Sequence, residues 1–303
     1  MSKPILITGA STGIGNHLAH YLAERGHLVY AAVRKDADFE ALSSVENIAP
    51  IKLDVTDLAQ IETAVATITA QGTGLYGLVN NAGLGGLGGF TTWNEAEFQQ
   101  IFDVNVAGPW RMSNAFIDLL LAEKGRIVNI GSQGGTITQK MFGPYSMTKH
   151  ALEAYTVALS EELRPYQVHV SIVQPGGIVS NIGANSMPDT FARFRRAQPP
   201  FAVEAQQILA AFENPTPPAE DAPESATNRK PSSPEIVSTA VYHALFAEKP
   251  KLRYLVGTKW EGDRVINALF EKLLDANESP EHNYSREQLI ALLDDHLHAR
   301  EKV

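Results

Sequence analysis

The chain has 303 residues, with 34 acidic and 25 basic side chains and a net charge of −9. That balance, without a basic block, argues against nucleic acid as a main partner, and the lack of cysteine excludes disulfides, thiolate metal sites and a cysteine nucleophile. A hydrophobic fraction of 44% is enough for a sizeable core.

The first strand is expected at Pro4–Thr8. Its apolar stretch is too short for a secretion signal, and no window reaches the roughly eighteen apolar residues of a membrane span. A soluble, cytoplasmic protein is therefore expected. The strand runs into Thr8-Gly9-Ala10-Ser11-Thr12-Gly13-Ile14-Gly15, and a helix is expected over Gly13–Arg25. A glycine-rich turn between strand and helix lets the backbone approach a pyrophosphate, while the helix start offers free N–H groups and a favourable dipole. Gly9, Ser11, Thr12, Gly13, Ile14 and Gly15 are the candidate cofactor residues of this turn, spaced Gly-x-x-x-Gly-x-Gly rather than Gly-x-Gly-x-x-Gly.

The second strand, His27–Val33, ends in Arg34 and Lys35, with Asp36 following late. An acidic residue at this strand end would bind a ribose 2′-hydroxyl; a basic pair suits a 2′-phosphate, which arginine can hold bidentately. Ser11 adds a hydroxyl. NADP(H) is favoured and NAD(H) remains possible, with Arg34 stacking on adenine or facing solvent as the alternative. Further strands are expected at Ile48–Leu53, Gly77–Asn80, Arg126–Ile130, Val168–Val173 and Arg253–Val256, with helices at Leu58–Thr69, Glu95–Leu121 and Tyr145–Leu163. Strands alternating with helices imply an α/β fold, a Rossmann-like doubly wound parallel sheet of about seven strands with helices on both faces.

Tyr145 and Lys149 stand four apart, on one face of the expected helix, with Ser132 upstream. A phenol titrates near 10, too high for a good base at neutral pH; a neighbouring cation favours phenolate and should lower that value. Such a tyrosine can give a proton to a carbonyl oxygen or take one from an alcohol, and Ser132 can hold that oxygen. Alone, the Tyr-x-x-x-Lys pair is weak evidence, since most such pairs are only a partly exposed helix face. Beyond it, the loop Leu84–Phe90 and the region from Val179 to Pro234 are expected to shape a substrate pocket, with Phe142 as a wall. Helical spacing favours core packing for Phe191 and Phe194, while Phe201 could add apolar surface. Arg193, Arg195 and Arg196 read as a solvated charged face. The segment Asn214–Pro234 is rich in proline and polar residues, as a mobile lid or disordered loop would be. Helices at Arg264–Ala276 and Arg286–His298 should cover one end of the core. One domain over 1–303 is expected, with an insertion at about 180–234 and a helical extension at about 260–303.

In order the chain has the Thr8–Gly15 turn, Asp54, Asn80-Asn81-Ala82-Gly83, Asn105, Ser132, Tyr145 with Lys149, and Pro175-Gly176, Ser132 lying thirteen residues before Tyr145. Together these resemble the short-chain dehydrogenase/reductase family, in its main catalytic branch. The resemblance spans most of residues 3–181 and, more weakly, extends to about 257; it is loosely like retinoid- and steroid-type members. It implies that Asp54 holds the adenine edge with Val55 beside it, that Asn81, Ala82 and Gly83 line the adenosine ribose, and that Pro175, Gly176 and Ile178 flank the nicotinamide. Ser180 stands where the family has threonine. Asn105 would join a water-mediated relay to Lys149, or satisfy helix backbone; Lys149 would also bind the nicotinamide ribose. The implied enzyme is an NAD(P)(H)-dependent oxidoreductase acting on a lipophilic ketone or secondary alcohol, with Tyr145 as acid/base, no metal, and a homodimer or homotetramer as its assembly. A non-catalytic nucleotide-sensing protein and an acyl-carrier ketoreductase are the alternatives.

Overall fold

The computed structural model describes residues 2–180, 182–214 and 221–301. Two compact units divide the chain, 1–262 and 263–303. In the first, seven strands form one parallel sheet in the order β3-β2-β1-β4-β5-β6-β7. The strands are β1 (Ile5–Thr8), β2 (Val29–Val33), β3 (Ile48–Lys52), β4 (Gly77–Asn80), β5 (Arg126–Ile130), β6 (His169–Pro175) and β7 (Arg253–Val256). Every residue of β1, β2 and β4 is buried, as strands covered on both faces must be.

Side chains alternate between two apolar layers, following the two-residue period of a strand. Ile5, Ile7, Val29 and Ala31 face α1 (Gly13–Ala23) and α9 (Glu235–Phe246), meeting Leu18, Leu22, Val237 and Val241. Leu6, Tyr30 and Leu78 face the other way, onto Ile61, Ala64 and Ile68 of α3 (Leu58–Gln71) and Met112, Phe116 and Leu120 of α5 (Gly108–Ala122). Helix α2 (Asp36–Ser43) follows β2. Local chemistry fixes several ends. Asp57 caps α3 by accepting from the Gln60 amide at 3.1 Å, and Gly72 closes it in the left-handed conformation. Asn94 and Glu97 cap α4 (Glu95–Phe102) reciprocally.

The single helix expected over Glu95–Leu121 is two helices. A π-helical turn, Asp103–Ala107, separates α4 from α5, and Pro109, in the first turn of α5, has no amide to continue an uninterrupted ladder. Asn105 sits in this turn. The region from Val179 onward contains two helices the sequence reading did not delimit, α7 (Ile182–Arg195) and α8 (Ala202–Glu213). Of the proline-rich stretch, residues 215–220 lie outside those described. The long helix α6 (Gly143–Leu163) carries Tyr145 and Lys149. Helix α10 (Lys259–Asn277) begins in the first unit, and α11 (Arg286–Glu301) lies in the second. In that second unit Asn277 exchanges two hydrogen bonds with the Tyr284 backbone, turning the chain between the helices. Ile266, Leu269, Phe270, Leu273 and Leu274 form an exposed apolar stripe along α10 at helical spacing.

Candidate active site

The strand order reverses at β1 and β4, and doubly wound sheets bind ligands beyond the carboxyl ends of such strands. Thr8 ends β1. Its hydroxyl accepts from the Asn81 and Ala82 amides, each at 3.0 Å, and Asn81 Nδ2 donates to the Thr8 and Gly9 carbonyls at 2.9 and 3.1 Å. The turn after β1 is thereby pinned to the turn after β4. Gly9 has φ +67°, and an added Cβ would lie 2.9 Å from Ala82 Cα. Gly13 is also left-handed, and a Cβ at Gly15 would collide with the Gly9 carbonyl. Thr12 begins α1 without a side-chain capping bond. The turn is a cradle of backbone that only glycine can line, suited to a pyrophosphate; Ser11 and Ile14 complete it.

Arg34 and Lys35 extend from the end of β2, both exposed. Arg34 meets Asp54 at 3.5 Å. Burial works to raise the Asp54 carboxyl, but hydrogen bonds from the Thr56 amide and hydroxyl, with the Arg34 charge, hold it below its ordinary value. Lys52 reaches the Arg34 carbonyl at 2.6 Å and Asp36 at 2.7 Å. Val55 is buried and packs where a side chain at Gly108 would stand.

Ser132 follows β5. Its Oγ accepts from the Gly134 amide at 3.0 Å, and Ser132 Oγ and the Tyr145 ring flank Gly134 together, 3.3 and 3.4 Å from where a Cβ there would stand. Lys149 lies one turn along α6, buried, its Nζ 5.7 Å from the Tyr145 ring centre and donating to the Ile130 carbonyl at 3.0 Å. Gly83 adjoins both Asn105 Oδ1 and Lys149 Nζ. Since Ala82 abuts the glycine turn, two consecutive residues bridge that turn and the lysine.

The expected lowering of the Tyr145 pKa by Lys149 is not what the structure gives. Burial pushes the Tyr145 phenol above its ordinary value; the Ser132 hydrogen bond opposes this. The phenol keeps partial exposure, so solvent offsets some of that penalty. Burial also pushes Lys149 down to about 8. The ammonium spends its hydrogen bond on a backbone carbonyl, and desolvation, invisible in a sequence pattern, dominates both groups.

Asn105 is buried in the π-helical turn. It accepts from the Leu84 amide at 2.7 Å and donates to the Leu84 carbonyl at 2.9 Å and to Thr148 Oγ1 at 3.1 Å. The backbone it satisfies is thus that of the substrate-loop start rather than of a helix. The loop Leu84–Phe90 lies between α7 and the segment before Tyr145. Gly85 faces Ile182, Gly89 faces Met141, and Phe90 covers Gly143. Of the three arginines, only Arg195 is the solvated residue expected; Arg193 and Arg196 turn inward to protein partners. Arg193 is 4% exposed, lies 3.5 Å over the Trp93 ring, donates to the Leu87 carbonyl and shares Glu97 with Arg196. Arg195 pairs with Glu213. Phe194 is buried, and both it and Phe191 meet Phe212, while Phe201 is half exposed.

Pro175 pairs with Val256 at the end of β6, and the Gly176 amide donates to the Val256 carbonyl at 2.9 Å. Ile178 bridges to Ser232, and Ser180 follows on the same loop. Among the described residues no cluster of His, Asp and Glu could hold a metal ion, and no helix is long and apolar enough to cross a membrane. A groove of about 880 Å³ lined by Phe98, Phe102, Trp110 and Tyr155 lies on the face of α4, α5 and α6. None of Ser132, Tyr145 and Lys149 lines it.

The family model for short chain dehydrogenase matches residues 3–190. The chain belongs to this family. This short-chain dehydrogenase is 33% identical over 258 residues to the uncharacterized oxidoreductase YbbO of Escherichia coli, covering 84% of this chain and 86% of that one. It is 35% identical over 188 residues to the mitochondrial D-beta-hydroxybutyrate dehydrogenase of mouse, covering 59% of this chain; the match spans about half of that relative's length, 55%. A short-chain dehydrogenase crystal structure from Streptomyces avermitilis superposes with a TM-score of 0.74 at 27% identity, over 91% of this chain and 95% of that one.

Several residues of the site escaped the sequence reading. Thr8 locks the two cofactor turns together, and its position at a strand end beside the glycine turn was the available signal. Thr148 lies inside the Tyr-x-x-x-Lys segment and donates to the Tyr145 carbonyl at 2.7 Å. Trp93 and Glu97 act over long sequence separations that leave no local signature.

Proposed function

We propose that this protein is an NAD(P)(H)-dependent oxidoreductase that interconverts a lipophilic ketone and its secondary alcohol, with NADP(H) favoured. The observation that carries this reading is the placement of Ser132 Oγ and the Tyr145 ring together at Gly134, one helical turn from a buried Lys149. The cradle at Gly9, Gly13 and Gly15 fits a pyrophosphate, and the exposed Arg34 and Lys35 suit a 2′-phosphate. The dinucleotide, when bound, supplies or accepts the hydride.

The chain's own residues handle the oxygen and its proton. The phenol, held above its ordinary value, is protonated at neutral pH and stands ready to give that proton to a carbonyl oxygen as negative charge grows there. With substrate bound, Ser132 turns its hydroxyl proton from the phenol to the same oxygen and stabilises the charge that grows there. Lys149, pushed down to about 8, is a stronger acid than an ordinary ammonium, so its protonated form can return a proton toward Tyr145 after the phenol has given its own. Asn105 holds the Leu84 backbone and Thr148 against this pair, and is proposed to order the relay behind it. Alcohol oxidation reverses these steps, and the raised phenol value makes it favour higher pH.

Phe90, Phe142, Met141 and Ile182 around the loop support an apolar substrate. The aromatic groove on α4, α5 and α6 supports assembly as a homodimer or homotetramer, and the lack of cysteine supports a cytoplasmic location. A panel of bulky and small ketones and alcohols, run in both directions with NADPH and NADH, tests the reading. We expect reduction of bulky apolar ketones with NADPH. Dinucleotide binding without turnover across the panel would favour a nucleotide sensor, and strong preference for a carrier-linked ketone would favour an acyl-carrier ketoreductase.

A further inference from the structure

Glu261 is a buried carboxylate that the mechanism leaves unused. It sits in the first turn of α10 and is fully buried. Its Oε1 accepts from the Gly177 amide at 2.7 Å and pairs with Arg229; its Oε2 accepts from the Thr258 amide at 3.1 Å. The carboxylate fills the space behind the loop after β6. An added Cβ at Gly176 would collide with it, and at Gly177 would lie 3.2 Å from Oε1. Gly257, at φ +150°, is also free of a side chain where the carboxylate passes.

Arg229 comes from the segment that precedes α9. Its guanidinium lies 5.2 Å from the Trp260 ring centre. Three residues on, the Ser232 amide donates to the Gly177 carbonyl at 2.8 Å, and the Val179 amide donates to the Ser232 carbonyl at 2.9 Å. Both backbone groups of Gly177 are therefore held, the amide by Glu261 and the carbonyl by the Arg229–Ser232 segment. A carboxylate inserted at zero exposure costs several kcal/mol unless charge and hydrogen bonds compensate it, so such a group is a costly way to fill space that an apolar side chain would fill more cheaply. Its directional bonds all converge on one loop.

We propose that Glu261 and Arg229 are positioning residues that fix the Pro175–Ser180 loop on the nicotinamide side of the site. The proposal rests on the reading of that loop as the nicotinamide's flank. The pair acts on one half of the dinucleotide only, because the adenosine half lies at Arg34 and Asp54, on the other side of the β1–β4 switch.

The test compares each dinucleotide with its own adenosine half, NADPH against 2′,5′-ADP and NADH against ADP, by fluorescence and calorimetric titration of the full chain. Glu261→Gln and Arg229→Met should each weaken dinucleotide binding about tenfold, the scale of one charged hydrogen bond, with the adenosine half within about twofold of wild type. Arg229→Lys, which keeps a cation, should lie nearer wild type. Amide hydrogen exchange of residues 176–180 should speed up in the first two variants. Arg229 is partly exposed, so its variant stands in if Glu261→Gln fails to fold. Unchanged dinucleotide binding, or equal weakening of dinucleotide and adenosine half, would overturn the positioning role while leaving the oxidoreductase reading in place. A wild-type chain that binds neither dinucleotide would overturn both.

Discussion

Replacing Lys149 with methionine tests whether burial governs the proton chemistry of this site. The Lys149 ammonium is pushed from 10.5 to about 8 by desolvation, and the residue is only 7% exposed. At about 1.4 kcal/mol per pKa unit, keeping it charged in the folded state costs roughly 3 kcal/mol at neutral pH. The sign follows from proton counting. Between pH 8 and 10.5 the unfolded chain holds this proton and the folded one has released it, so the lysine's contribution to stability rises with pH. Integrating the linkage returns about 2 kcal/mol between roughly pH 7 and 9.5. Methionine fills similar volume and removes the charge. It also leaves the Ile130 carbonyl without its donor, a penalty of about 1 kcal/mol that does not vary with pH. The assay is urea denaturation of both proteins, without cofactor, at the two pH values. The stability difference between them, wild type minus variant, should increase by about 2 kcal/mol on going to the higher pH, other titrating groups cancelling. A difference that stays within about 0.5 kcal/mol would refute the claim that burial, rather than ion pairing, sets the state of this amine.

Tyr145→Phe should abolish turnover and leave dinucleotide affinity within a few fold, since only the phenol oxygen is asked to move a proton; near wild-type kcat would remove Tyr145 from the mechanism. Arg34→Ala should weaken NADPH by about tenfold or more and NADH much less, measured by fluorescence titration; equal losses would show that Arg34 does not read the 2′-phosphate. Gly9→Ala should destabilise the protein by about 1–3 kcal/mol and weaken the dinucleotide, whereas Gly26→Ala, also left-handed but with nothing within 4 Å of the added Cβ, should cost only the backbone term. Equal losses of stability in the two variants would show that the close approach of Gly9 to Ala82 carries no weight.

Where residues were buried by the sheet itself, the sequence was nearly sufficient. Gly77–Asn80 and Arg126–Ile130 are strands with the expected limits, because an apolar run bounded by turn residues has little else to become, and the edge strand Arg253–Val256 also has its expected limits although only Tyr254 in it is buried. The doubly wound order followed from the same alternation. Glu95–Leu121 was misread as continuous because a π-helical turn keeps the apolar spacing nearly intact. Helix α7 was obscured by Pro188 and by a polar surface whose arginines turn out to be paired through Glu97. The residues around the site were legible as motifs, but their electrostatics were not. The phenol and the amine respond to how deeply the fold encloses them, a property of contacts between β5, α6 and the loop after β4 that no four-residue spacing encodes.

One side-chain amide joins three parts of this protein. Asn105 grips both polar groups of Leu84 and the hydroxyl of Thr148, so the first residue of the variable loop is anchored to the helix that bears the tyrosine. Remodelling of the loop is therefore free to begin at Gly85, whereas changes that shift Leu84 travel through Asn105 to Thr148 and the Tyr145 backbone, on which the proposed proton transfer depends. An engineer can treat that residue as the hinge pin between what the enzyme recognises and what it does.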